Sequence, residues 1–239
     1  MRHAPLAAAL ILAGGPALAQ DLSLSFGDGS LTASTLGLLA LVTLLSLAPG
    51  LAIMVTCFPF IVTVLSILRQ AIGLQQAPPN MLIVTLALFL SYFVMDPVLT
   101  EAWESGIEPL LQEEIEAEEA FTRTLAPFRE FMAARVDPDT FASMADLRPP
   151  VSEIEPEADS ALSILIPSFL LSEIERAFEI GFLIFLPFLI IDLVVAAVLM
   201  SMGMMMVPPA LVSLPFKLAF FVVADGWSLI SGALVRGYL

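Results

Sequence analysis

Long uncharged runs flank one dense polar block. No residue from Gly29 to Leu68 carries a charge, a run of 40, and Gln70 to Met95 adds another 26. From Gly181 to Tyr238 the only charges are Asp192, Lys217, Asp225 and Arg236. A helix needs about 20 apolar residues to cross a bilayer. The runs therefore predict about four spans, at roughly 38–68, 81–96, 180–202 and 209–233. Pro49, Pro59, Pro187 and Pro215 fall inside them. Each removes a backbone donor and clashes with the preceding turn. Freed carbonyls are tolerated at membrane depth only where protein covers them or a cavity receives them. So many interruptions predict broken or kinked helices in two hairpins, packed within an assembly.

Between the second and third spans the pattern changes to that of amphipathic helices. Ile107, Leu110, Leu111 and Ile115 recur at spacings of three and four, as do Phe121, Leu125, Phe128, Met132 and Val136. Asp137-Pro138-Asp139-Thr140 is a turn that opens a short helix to about Leu147, and 148–156 reads as an extended proline-rich linker. Asp96-Pro97 reads as an N-cap and first-turn pair that starts a new helix after the second span. The expected fold is an all-α membrane protein with a helical polar insert. Its divisions are residues 1–19, 20–96, 97–160 and 161–239.

Charge and composition sharpen this. Between Glu101 and Asp159 lie 16 of the 24 acidic residues and 4 of the 9 basic ones, so the net charge of −15 belongs mainly to the insert. The glutamates at 113–119 read as a solvated helix face, since they lack the Asp/Asn/Gly spacing of a calcium loop. The chain is 59% hydrophobic and 14% charged, against about 45–50% and 25% for soluble domains. That excludes an ordinary soluble core. The acidic balance disfavours nucleic acid. A single cysteine, Cys57, excludes an intrachain disulfide. No histidine follows His3, and neither His-Glu-x-x-His nor Gly-x-Ser-x-Gly occurs. An enzyme is therefore disfavoured, and no cofactor or metal site is expected.

The first 19 residues read as a signal peptide: Arg2, an apolar run from Leu6 to Leu12, and the small-x-small site Ala17-Leu18-Ala19. Cleavage would leave the mature N-terminus outside the cytoplasm. The loop after Arg69 is then cytoplasmic and the acidic insert periplasmic, in keeping with its poverty in Lys and Arg.

Two charges are out of place. On a wheel of 167–181, Phe169, Leu170, Ile174, Ala177, Phe178 and Gly181 share one half. Ser172, Glu175, Arg176 and Glu179 share the other, and Glu173 projects into the apolar half. A carboxylate there must be protonated, paired or hydrated. Lys217 is the only cation between Arg176 and Arg236, and a lone ammonium in a span costs about 2.5–3.5 kcal/mol. A structural Glu173–Lys217 bridge, within one chain or between neighbours, answers both. Asp192 and Asp225 are rival partners, snorkelling is the plain alternative for Lys217, and Asp192 could serve a proton relay.

Met200, Met202, Met204, Met205 and Met206 crowd seven residues, ahead of Val207-Pro208-Pro209. On a helix they would point in nearly all directions, so a protruding loop between two spans fits better. They are either irregular core filler or, repeated around an axis, a deformable apolar constriction that excludes water and ions by dewetting.

The blocks Pro167–Glu173, Ala177–Phe182, Phe185–Val195, Met200–Met206, Ser213–Leu218 and Asp225–Trp227, with Pro78–Asn80 and Ala87–Val98, resemble the FliP family. The resemblance implies an inner-membrane component of the flagellar type III export gate. It implies several copies assembled with FliQ and FliR, associated with FlhA and FlhB, around a channel for unfolded substrates. It also implies that Met202 and Met204 to Met206 seal the closed channel. The related SctR family of virulence injectisomes is the near alternative. An ion or small-molecule transporter is a more distant one, disfavoured because the first two spans carry almost no charge and the last two carry it all.

Overall fold

The computed structural model describes residues 31–74, 77–147, 155–204 and 206–238. The expected signal peptide lies outside them, as does most of the linker. Every regular element among the described residues is helical: α1 (Leu31–Met54), α2 (Phe58–Ile72), α3 (Asn80–Ala102), α4 (Glu108–Leu111), α5 (Ala117–Ala133), α6 (Pro138–Asp146), α7 (Leu162–Ser201), α8 (Pro209–Val223) and α9 (Gly226–Arg236). A single π turn, Trp103–Ile107, joins α3 to α4. The chain divides into two units, one reaching to Leu47 and one running from Ala48. In the first, Leu36, Leu39, Val42 and Leu45 are exposed. Two hydroxyls there bond along the helix: Thr43 donates to the Leu39 carbonyl and Ser46 to that of Thr43.

The core of the second unit is built around α2. Phe60, Ile61, Val64, Leu65, Leu68, Ala71 and Ile72 recur at helical spacing and are all buried. Each such Leu, Ile or Phe contributes about 1.5–3 kcal/mol by leaving water. At 15 residues, α2 is roughly 22 Å long, short of the hydrocarbon thickness of about 30 Å. It packs against α3, α7 and α8. The approach to α7 is close because α7 presents Ala177 and Gly181 there. A Cβ on Gly181 would lie 2.4 Å from the Ile67 side chain, the small-residue contact that lets helices approach closely.

The predicted span at 38–68 is not one helix. It breaks at Val55–Cys57, and Pro59 sits in the first turn of α2, where its missing donor costs nothing. By contrast, Pro97, Pro167, Pro187 and Pro215 lie inside continuous helices. The expected new start at Asp96-Pro97 does not occur. Val94, Met95 and Ala102 are buried on one side of α3, and this packing carries the helix past the proline. Among the described residues, Asn80–Leu111 and Leu162–Ser201 are long and apolar enough to cross a membrane. The pair α8 and α9, bent by 61°, makes a third if it acts as one span.

The acidic insert folds as helices in part. The periodicity at 107–115 yields only the π turn and the four residues of α4. Glu113 then takes a left-handed conformation (φ 58°), so the glutamates at 113–116 form a turn instead of a helix face. α5 rests on the π turn, where Gly106 is buried; a Cβ there would meet Thr124 Oγ1 at 2.1 Å and the Ala120 carbonyl at 2.8 Å. The turn at Asp137 forms as expected. Its carboxylate accepts the Thr140 N–H at 2.9 Å and caps α6. Met132, Val136, Phe141 and Ala145 then pack with Ile164, Leu165 and Phe169 of α7 in a second small core.

Candidate functional site

The methionine cluster lies where the 40-residue α7 ends. Gly203 has φ 75° and stops the helix. Its N–H bonds the Met200 carbonyl (3.1 Å), and the Met204 N–H reaches back to that of Leu199 (3.0 Å). These two bonds are the Schellman pattern, which closes the last carbonyls of a helix and favours Gly at the left-handed position. A Cβ on Gly203 would meet nothing within 4 Å, so backbone conformation alone selects glycine here. The chain re-enters a helix at Pro209. Met200, Met202, Met204 and Met206 are all exposed, Met206 almost completely at 98%. Met205 lies outside the described residues. The described methionines thus lie at the turn between two apolar helices and outside the buried core. Beside it, Ile190, Val194, Val198 and Leu199 of α7 and Val212 and Phe216 of α8 line an apolar groove of about 440 Å³.

Both misplaced charges are paired, but not with each other. Lys217 Nζ meets Asp192 Oδ2 at 2.6 Å and donates to the Ala71 carbonyl at 3.1 Å. Ser213 Oγ donates to the other carboxylate oxygen of Asp192 at 2.5 Å. Ala71 is in the last turn of α2, so Lys217 places a cation at a helix C-terminus and satisfies one of its open carbonyls. This replaces the expected Glu173–Lys217 bridge within the chain: Asp192, one of the two rivals, is the partner. The other rival, Asp225, is exposed at the bend between α8 and α9, in a left-handed conformation (φ 47°). Gly226, beside it, is buried against the Phe221 ring.

Glu173 is completely buried, and its Oε1 accepts from Arg135 Nε at 3.0 Å. The Tyr238 hydroxyl donates to its other oxygen. Neighbouring Ser172 is buried too, accepting the Asp137 N–H at 2.9 Å and donating to the Ser168 carbonyl at 2.9 Å. Burial first, then the charge and hydrogen bond of Glu173, hold the Tyr238 phenol above its ordinary range, so it remains a donor. The sequence reading named neither Arg135 nor Tyr238. The available signals were slight: Arg135 is one of 4 cations in the acidic insert, and Tyr238 one of 2 tyrosines in the chain.

The family model described as FliP family matches residues 41–234. The chain belongs to the FliP family. A Caulobacter vibrioides protein named flagellar biosynthetic protein FliP is 49% identical over 224 residues, covering 93% of this chain and 84% of that protein. Proteins of the same name from Rhizobium meliloti and Bacillus subtilis are 46% and 44% identical, over 95% and 90% of this chain and 94% and 96% of their own lengths. The FliP family match thus includes the methionine turn, both charge pairs up to Lys217 and the helices that hold them.

Proposed function

We propose that this chain is a membrane component of the flagellar protein export gate and that its methionine turn forms part of the seal of the closed channel. Membership of the FliP family and relatives named for flagellar biosynthesis support the first statement. One observation carries the second. Met202, Met204 and Met206 stand exposed on a capped turn between two apolar helices, outside the buried core of the chain. Flexible thioethers in that position can close on one another across a ring of copies, exclude water, and yield when a chain passes.

In this reading several copies assemble with FliQ and FliR, FlhA and FlhB adjoin them, and unfolded substrates cross the pore. The complex sits in the inner membrane with the acidic helices on the periplasmic side. The relatives' names favour the flagellar branch over virulence injectisomes. The chain's role is a conduit, with no catalysis.

The test replaces Met202, Met204, Met205 and Met206 with Ala together in cells expressing the whole export apparatus. The expected result is ion leakage through the closed gate, measured as conductance or salt-dependent growth arrest, with assembly unchanged. Unchanged leakage in an assembled gate would overturn the seal.

A further inference from the structure

After α9 the helical winding continues for two residues, with the Gly237 and Tyr238 N–H groups donating to the carbonyls of Ala233 and Val235 at 3.1 and 3.0 Å. This places the Tyr238 ring among residues that are remote in sequence. It stacks on Phe131 of α5 (centroids 6.1 Å apart, planes at 15°) and meets Phe60 of α2 edge-on at 5.4 Å. The Arg135 guanidinium lies 3.7 Å above its centroid, and the phenol donates to Glu173 of α7. Arg135 reaches the same segment a second way, its Nη1 donating to the Gly237 carbonyl at 3.3 Å. Two residues following α9 therefore touch α2, the end of α5 and α7 at once.

The chemistry is selective. A planar guanidinium can stack on a ring while its edge bonds a carboxylate, which an ammonium cannot do together. The ring covers a pair that is almost dry, with side-chain exposures of 13% for Arg135 and 1% for Glu173. Without it, the guanidinium face and one carboxylate oxygen meet water.

We propose that Gly237–Tyr238 is a latch: Tyr238 closes over the Arg135–Glu173 pair and ties the bent α8–α9 arm to the helices of the acidic insert. The arm also carries Lys217 and begins just after the methionine turn. The latch is thus a mechanical link between the insert and the element that follows the turn. It stands whether or not the turn is a seal.

Backbone hydrogen exchange of the full chain in detergent tests it. Tyr238→Phe keeps the ring and removes one hydrogen bond to a carboxylate, an interaction whose loss corresponds to about tenfold or more in an opening equilibrium. Exchange is expected to rise about that much at 128–136 and across 226–236 together, with 58–72 in α2 unchanged; Tyr238→Ala extends the same pattern further. A change confined to 233–238, or a parallel rise in α2, overturns the latch. A cycle of Arg135→Lys with Tyr238→Phe decides independently of whether the Ala variant folds. Coupled effects on exchange at 226–236 support the latch, and additive ones overturn it.

Discussion

Glu173 and Lys217 present the same difficulty, a charge inside apolar helix, and the chain resolves them differently. Glu173 is sealed: its partner Arg135 arrives from the acidic insert and Tyr238 covers both. Lys217 is anchored: its partner Asp192 is 31% exposed, and the ammonium also serves an open carbonyl of α2. The sealed pair joins α7 to the segment after α5, whereas the anchored one joins the α7–α8 hairpin to the end of α2. A sealed pair is strongly destabilised by loss of one member, because the other charge stays behind without water. An open pair loses less, because water can replace the missing partner.

The largest test removes the sealed carboxylate. Glu173→Ala strands Arg135 and the Tyr238 phenol, and a cost of about 3–5 kcal/mol is expected in thermal or denaturant unfolding of the purified chain. A cost below that of the anchored pair would reverse the comparison. Lys217→Ala follows: the exposed side of Asp192 can hydrate, but the Ala71 carbonyl loses its donor. Roughly 1–3 kcal/mol is expected by the same measurement, with faster exchange confined to the end of α2. Ser213→Ala removes only the hydroxyl that orients Asp192, and about 1 kcal/mol is expected. A cost equal to that of Lys217→Ala would show that orientation, not charge, holds the node.

The smallest test lies beside the sealed pair. Asp137 caps α6, and its own N–H is held by Ser172, next to Glu173. The Thr140 N–H, the main cause, holds its carboxyl below the usual value. Its stabilisation is therefore complete above the unfolded value of about 3.9 and is lost as pH falls through the lower folded one. Exchange in 138–146 should accelerate over that acid window. Asp137→Asn, which keeps a capping oxygen, should abolish the dependence. An unaltered profile in the Asn variant would assign the effect to another carboxylate.

Much of this was legible in the chain. Glu173 and Lys217 stood out because ionised groups in apolar surroundings demand partners, and the five crowded methionines suited a turn better than a stripe. The Asp137-Pro138 start of α6 followed from capping chemistry. The partners were not legible, since Arg135 and Tyr238 meet Glu173 only through the fold. The wheel also misjudged α7. It grouped Ile174 and Phe178 as the apolar face, yet both are exposed, while polar Ser172 is buried with Glu173. Hydrophobicity says which side chains avoid water. It does not separate a face packed on α2 from one left for lipid or another subunit. The prolines misled for a related reason: packing on both sides of Pro97 and Pro187 keeps helices continuous where local chemistry alone would end them.

The burial of α2 has a consequence for how the chain is made. Its main packing partner, α7, begins roughly 90 residues after α2 ends, which at ribosomal rates of about 5–20 residues per second is a delay of roughly 5–20 s. Throughout that interval a strongly apolar segment, too short to cross the bilayer by itself, has emerged without the surface it is shaped for. Biogenesis therefore includes a waiting state, in which α2 must be sheltered by the insertion machinery or by another subunit until α7 is synthesised.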